Sequence, residues 1–249
     1  MQASEQIRES LSRVAAMRQA LTGQPALAQA VLTIKHLQAQ RFAGTYADLL
    51  ASKTYAPCAT FFLQELYSAK DYADRDAQFA RIAGALQRTF PVAVVATAVA
   101  LAELHCLTEE LDLAMAQQWC QQAGLSDANR YVSSWRNLQR HAERNWQLAT
   151  VLSIGQSLGH LTAKPGLRVM LKMMRGPAHL AGLGSLQNFL ESGFNHFAGL
   201  PRAGGSVSTF LDTISSRESV WIARLFDAPA VACGTELAQT LGFAPSLCT

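Results

Sequence analysis

The sequence predicts an all-α protein: a bundle of about eight to ten helices around a central apolar helix. Three observations carry this. Apolar residues recur at three- and four-residue spacing along most of the chain. Glycine and proline fall between those runs, where helices stop and start, and alternating strand patterns are nearly absent. Hydrophobic residues make up 49% of the chain and charged residues 16%, which excludes a disordered chain and supplies ample apolar surface for a core. The 249 residues read as one domain, 1–249, with 124–126 as the place where two lobes would part.

A first helix runs from Ser4 to about Leu21, with Ile7, Leu11 and Val14 on its inner stripe. Gly23 ends it, and Pro25 suits the first turn of a second helix. That helix carries Leu27, Val31, Ile34 and Leu37 inward and stops at Gly44. Thr45 caps a short helix with Leu49 and Leu50. Pro57 starts another, anchored by Phe61, Phe62 and Leu66. Asp71 or Asp74 caps the next, whose inner residues are Phe79, Ile82, Leu86 and Phe90. Pro91 restarts the chain. Val92–Leu104 is apolar nearly all round, which predicts a core helix covered on most sides and is too short to span a membrane. Thr108 caps a continuation closed by Gly124. Ser126 and Asp127 open a long helix that reaches Ala163, with Gly155 and Gly159 as weak points or close-packing sites. Lys164-Pro165-Gly166 stops it, and Leu167–Met174 is a shorter helix. Gly176-Pro177 precedes another that carries Leu180 to Phe197, and 199–206 is the clearest loop. Helices around Phe210–Leu225 and Glu236–Leu241 complete the chain.

The net charge is +3, but it is unevenly placed. Positions 89–129 hold Glu103, Glu109, Glu110, Asp112 and Asp127 and no Lys or Arg. Positions 130–175 hold eight basic residues against Glu143 alone. Arg136, Arg140 and Arg144 lie four apart, as do Arg168 and Lys172, with Arg175 one turn on. This spacing predicts a basic face that is either solvated or a surface for an acidic partner. Nucleic acid is disfavoured by the small overall charge and the lack of a binding motif.

Five cysteines, Cys58, Cys106, Cys120, Cys233 and Cys248, are an odd set at long spacings with no Cys-x-x-Cys. They predict reduced thiols and a cytoplasmic location. The polar N-terminus does not read as a secretory signal.

Motifs for catalysis are sparse. Glu-x-x-His and His-Glu-x-x-His are absent, as are the glycine-rich nucleotide fingerprints. Gly155-Gln156-Ser157-Leu158-Gly159 matches a nucleophile elbow, which needs a strand turning into a helix. The approach to Ser157 reads as helix, so close packing is the expected role. Met170, Met173 and Met174 read as core filling, or as an adaptable surface. His105 follows the apolar helix, with Phe61 and Phe62 upstream, an arrangement similar to that of bacterial globins. It makes His105 the candidate ligand for haem iron.

Phe61-Phe62-Leu63-Gln64-Glu65-Leu66-Tyr67, followed by Asp71-Tyr72 and Arg75-Asp76, resembles a family of uncharacterised helical bacterial proteins. They carry a Phe-Phe-Leu-x-Glu/Asp-Leu-Tyr stretch and a nearby Arg-Asp. The resemblance covers roughly positions 41–120 and implies a helical fold without implying a reaction. The residues allow two roles. Glu65, Arg75 and Asp76 can form a charged cluster that fixes the turn between helices, with Tyr67 packed nearby. Alternatively Arg41, Glu65, Tyr67, Arg75 and Asp76 surround a polar ligand.

Two functional readings follow. The first is a non-enzymatic helical protein, without a cofactor or membrane segment and with nucleic acid disfavoured, that binds an acidic protein, an anionic small ligand or a second copy of itself. The second is a haem- or other cofactor-binding enzyme or sensor that uses His105. No catalytic residue stands out.

Overall fold

The computed structural model describes residues 2–122 and 124–242; Cys248 lies outside them. Among the described residues every regular element is helical. In order, the helices are α1 (Ala3–Leu21), α2 (Pro25–Thr45), α3 (Ala47–Ala51), α4 (Ala56–Glu65), α5 (Ala73–Thr89) and α6 (Val92–Cys120). They continue as α7 (Asp127–Leu138), α8 (His141–Thr162), α9 (Pro165–Met173), α10 (Arg175–Leu180), α11 (Gly184–Gly199), α12 (Val207–Asp227) and α13 (Ala230–Gly242). This exceeds the eight to ten expected, because α3 and α10 are single short turns and one expected long helix is broken.

That break falls at Gln139, which takes a left-handed conformation at φ 53° and separates α7 from α8. Its cause is tertiary. The Arg136 guanidinium donates to the carbonyls of Leu225 at 2.7 Å and Ala228 at 2.5 Å, which binds the end of α7 to the end of α12. The chain must turn there to carry α8 across the bundle. The helix start at Ser126 is as expected, and Ser206 starts α12 in the same way, each serine hydroxyl accepting from the N–H three residues on.

Gly44 does not stop α2. The helix continues to Thr45, and a Cβ at position 44 would meet the Thr240 carbonyl of α13 at 2.0 Å. The glycine lets two helix backbones touch. Gly155 likewise sits inside α8, where a Cβ would come within 2.6 Å of Leu211 on α12. No strand leads to Ser157, which lies within α8, so the elbow geometry is missing.

Three apolar clusters make the core. One joins α2, the end of α6, α7, α12 and α13 through Ile34, Met115, Trp135 and Leu225. A second joins the end of α2, α4, α11 and α12 through Phe42, Phe62, Phe197 and Phe210. The third joins α1, α5 and the start of α6 through Ile7, Leu11, Phe79 and Leu86.

The helix common to this arrangement is α6, which packs on α1, α2, α7 and α8. By length and composition alone it could cross a membrane. Only part of the stretch the sequence singled out is buried, at Val95, Ala102 and Leu104, and burial is denser further on. Leu104, Cys106, Leu111, Met115, Ala116 and Trp119 are buried, whereas Val92 is 85% exposed and most of 93–101 is only partly covered. The apolar start of α6 thus joins the third cluster through Val95 and Ala102 and, on another side, lines an open chamber.

Candidate functional site

Helical periodicity aims polar residues from six helices at the space where the three clusters meet. Lys35, Gln38 and Arg41 lie along one side of α2, and His105, Glu109 and Asp112 along one side of α6. Tyr131 and Trp135 come from α7, Arg144 and Gln147 from α8, Glu218 from α12, and Arg75 and Asp76 from α5. Together they line a cavity of about 110 Å³.

Its deep end is held by a buried ion pair. The Arg41 guanidinium donates to both Glu218 oxygens, at 3.0 and 2.8 Å, and the Tyr46 hydroxyl donates to Glu218 at 3.1 Å. Burial works against the charge of Arg41, but Glu218 more than reverses this and holds the guanidinium above its ordinary value. Burial, reinforced by Glu218, pushes the Tyr46 and Tyr67 hydroxyls well up, so both stay protonated. Asp112, 2% exposed, accepts from Gln38 at 2.9 Å, and burial raises its pKa despite Lys35 4.0 Å away.

Arg144 differs from these. It is 6% exposed, yet among the described residues no carboxylate lies within 4.0 Å of its guanidinium. Its neighbours are the Gln147 side-chain Oε1 at 3.1 Å, the Met115 sulfur at 3.1 Å and the face of Trp135 at 3.9 Å. Burial depresses its pKa. Around it, the Tyr131 hydroxyl, the Trp135 indole N–H and the Arg41 Nε are buried without a hydrogen-bond partner. All three can donate, and none has found an acceptor.

The outer wall is a charged cluster on Asp76. Its carboxylate meets Arg18 at 2.8 Å, His105 Nε2 at 2.8 Å and Arg75 at 3.3 Å. Arg75 also faces Glu65 at 3.8 Å and lies 3.9 Å over the Tyr72 ring. Burial alone would raise the Asp76 pKa, but the hydrogen bond from His105 and the charges of His105, Arg75 and Arg18 lower it. A carboxyl depressed in the folded state contributes stability above its unfolded pKa of about 3.9 and loses it as pH falls through the folded value. Asp76→Asn is therefore expected to cost about 2–3 kcal/mol at pH 7. The difference from wild type should shrink below about pH 4. Urea melts of both proteins between pH 7 and 3 check this, and a constant difference across that range would contradict it.

The structure thus brings Arg41, Glu65, Tyr67, Arg75, Asp76 and His105 to one cavity. It also adds Asp112, Tyr131, Trp135 and Glu218, which the sequence reading missed. Asp112 carried a faint signal, being one of four carboxylates on an otherwise apolar helix. Arg41 and Glu218 are 177 positions apart, so nothing local links them.

The expected basic face does not form. Arg136 caps α12, Arg140 pairs with Glu143 at 2.6 Å, and Arg144 is inside the cavity. Arg175 pairs with Glu191, the Arg168 Nε is buried, and Lys172 is exposed. The break at Gln139 is the cause, because it rotates Arg140 and Arg144 off the line of Arg136.

At His105 the Nε2 is already engaged by Asp76, and two guanidinium groups stand beside that carboxylate. A histidine–carboxylate pair can move protons. Here the carboxylate is shared with Arg18 and Arg75, and the pair reads as part of an ion cluster.

The sequence model of a family described as a domain of unknown function, DUF8198, matches residues 17–231, and the chain belongs to that family. No curated protein and no solved structure matches the chain.

Proposed function

We propose that this member of the DUF8198 family binds a small anionic ligand, through carboxylate or phosphoryl oxygens, in the polar cavity between α2, α6, α7 and α8. The observation that carries this reading is a local excess of unpaired donors around Arg144, in a wall whose carboxylates (Glu65, Asp76, Glu109, Asp112 and Glu218) lie mainly against other partners. The Tyr131 hydroxyl, the Trp135 N–H and the Arg41 Nε are donors without acceptors, beside a guanidinium without a carboxylate. Each buried donor left unmade costs about 1–3 kcal/mol, so a site that keeps several favours a guest rich in acceptors. The anion would sit against Arg144, with Tyr131 and Trp135 completing its hydrogen bonds.

Binding is favoured over turnover by the state of the reactive groups. Burial pushes the Cys58 thiol up to about 12 and the Cys106 thiol up to about 11, which leaves neither a thiolate at neutral pH. Asp76 holds His105 through Nε2.

A thermal-shift series with acetate, octanoate, inorganic phosphate and octyl phosphate, against chloride at matched ionic strength, tests the reading. A bound anion at a hundred times its Kd should raise Tm by about 5–10 °C. Tyr131→Phe should reduce that rise without changing the Tm in chloride by more than a few degrees. Curves identical to chloride for every anion would overturn the proposal.

A further inference from the structure

Beside the polar cavity lies a second chamber of about 210 Å³, bounded by α4, α5, α6, α8, α9 and α11. Apart from Thr97 and Gln187, its wall is apolar, and the Gln187 side-chain amide donates to the Leu171 carbonyl and to Glu191. Folded interiors rarely keep voids much larger than a water molecule. An apolar cavity of about 150 Å³ is already enough to hold benzene. The chamber is also where the start of α6 is only partly covered: Val94, Ala98 and Leu101 line it.

The two spaces adjoin. Leu66, Leu101, Leu104, Val151 and Phe189 line both. A polar pocket and an oily pocket thus meet at one apolar border.

We infer that the guest is an amphiphile, with an anionic head among Arg144, Tyr131 and Trp135 and a hydrocarbon tail in the apolar chamber. The inference rests on the anion-binding reading above and adds the class of molecule. Scaling from the benzene cavity, the chamber holds a tail on the order of eight carbons. Longer chains would have to leave through the wall formed by α9 and α10, where Met170 and Met174 line the chamber.

Calorimetric titration of the full chain with acetate, butyrate, hexanoate, octanoate and dodecanoate reads the tail directly. Affinity is expected to rise about fourfold per methylene and to level off near octanoate. Octyl phosphate in place of octanoate tells a phosphoryl from a carboxylate head, and tight binding of either supports the inference. Ala98→Phe, which fills the chamber, should flatten the chain-length dependence and leave acetate binding as it was. The wild-type series decides the matter even where that variant does not fold. Anions that bind with no dependence on chain length would overturn the amphiphile and leave anion binding standing. Octanol binding as tightly as octanoate would instead remove the anion reading, and the amphiphile with it.

Discussion

Glu218→Gln is expected to destabilise the protein by about 3–5 kcal/mol. The substitution keeps the shape of the side chain and removes only its charge. Arg41 and Glu218 are 4% and 6% exposed and joined by two hydrogen bonds, with Tyr46 donating a third. Without the carboxylate, the Arg41 guanidinium remains buried and uncompensated, and its Nε is already without a partner. Removing both charges should hurt less than removing one. In Arg41→Met/Glu218→Leu neither group is desolvated, and much of the stability should return. Urea denaturation reads both effects as shifts in midpoint at unchanged slope. A single-substitution cost below about 1 kcal/mol would show that the pair is not what holds α2 to α12.

The helices were legible because each is decided within a few turns of chain. Ile7, Leu11 and Val14 mark the inner face of α1, and all three are buried. Ser126 and Ser206 announce helix starts by their own side chains. Errors arose where distant residues decide. Nothing near Gln139 says that Arg136 will bond to carbonyls of α12, yet that contact divides α7 from α8. Val92–Leu104 has the composition of a core segment, but composition does not say whether other helices will cover it. Within it Val95, Ala102 and Leu104 are covered, and most of the buried residues come later, up to Trp119. The site divides in the same way. Glu65, Arg75 and Asp76 are near in sequence and were readable as a cluster. The deep wall draws on Arg41, Tyr131, Arg144 and Glu218 from four helices, and only the packing of those helices brings them together.

Arg144→Met should have the opposite effect on stability from Glu218→Gln. Arg41 owes its raised pKa to a bonded carboxylate, whereas Arg144 has only an amide oxygen, a sulfur and an aromatic face, and burial lowers its pKa. Methionine keeps much of the volume and removes a desolvated charge that no carboxylate within 4.0 Å offsets. The expected result is a protein as stable as wild type, or more stable by about 1–2 kcal/mol. Anion affinity should fall at least about 100-fold, since a charged hydrogen-bond donor at the head of the guest is gone. A cation that serves only the fold cannot produce that pair of results, because losing it would lower stability and leave ligand affinity untouched. A residue kept for binding at the expense of stability produces both. Denaturation midpoints and octanoate titrations on the same preparation separate the cases. A loss of more than about 2 kcal/mol with unchanged anion binding would make Arg144 a structural residue.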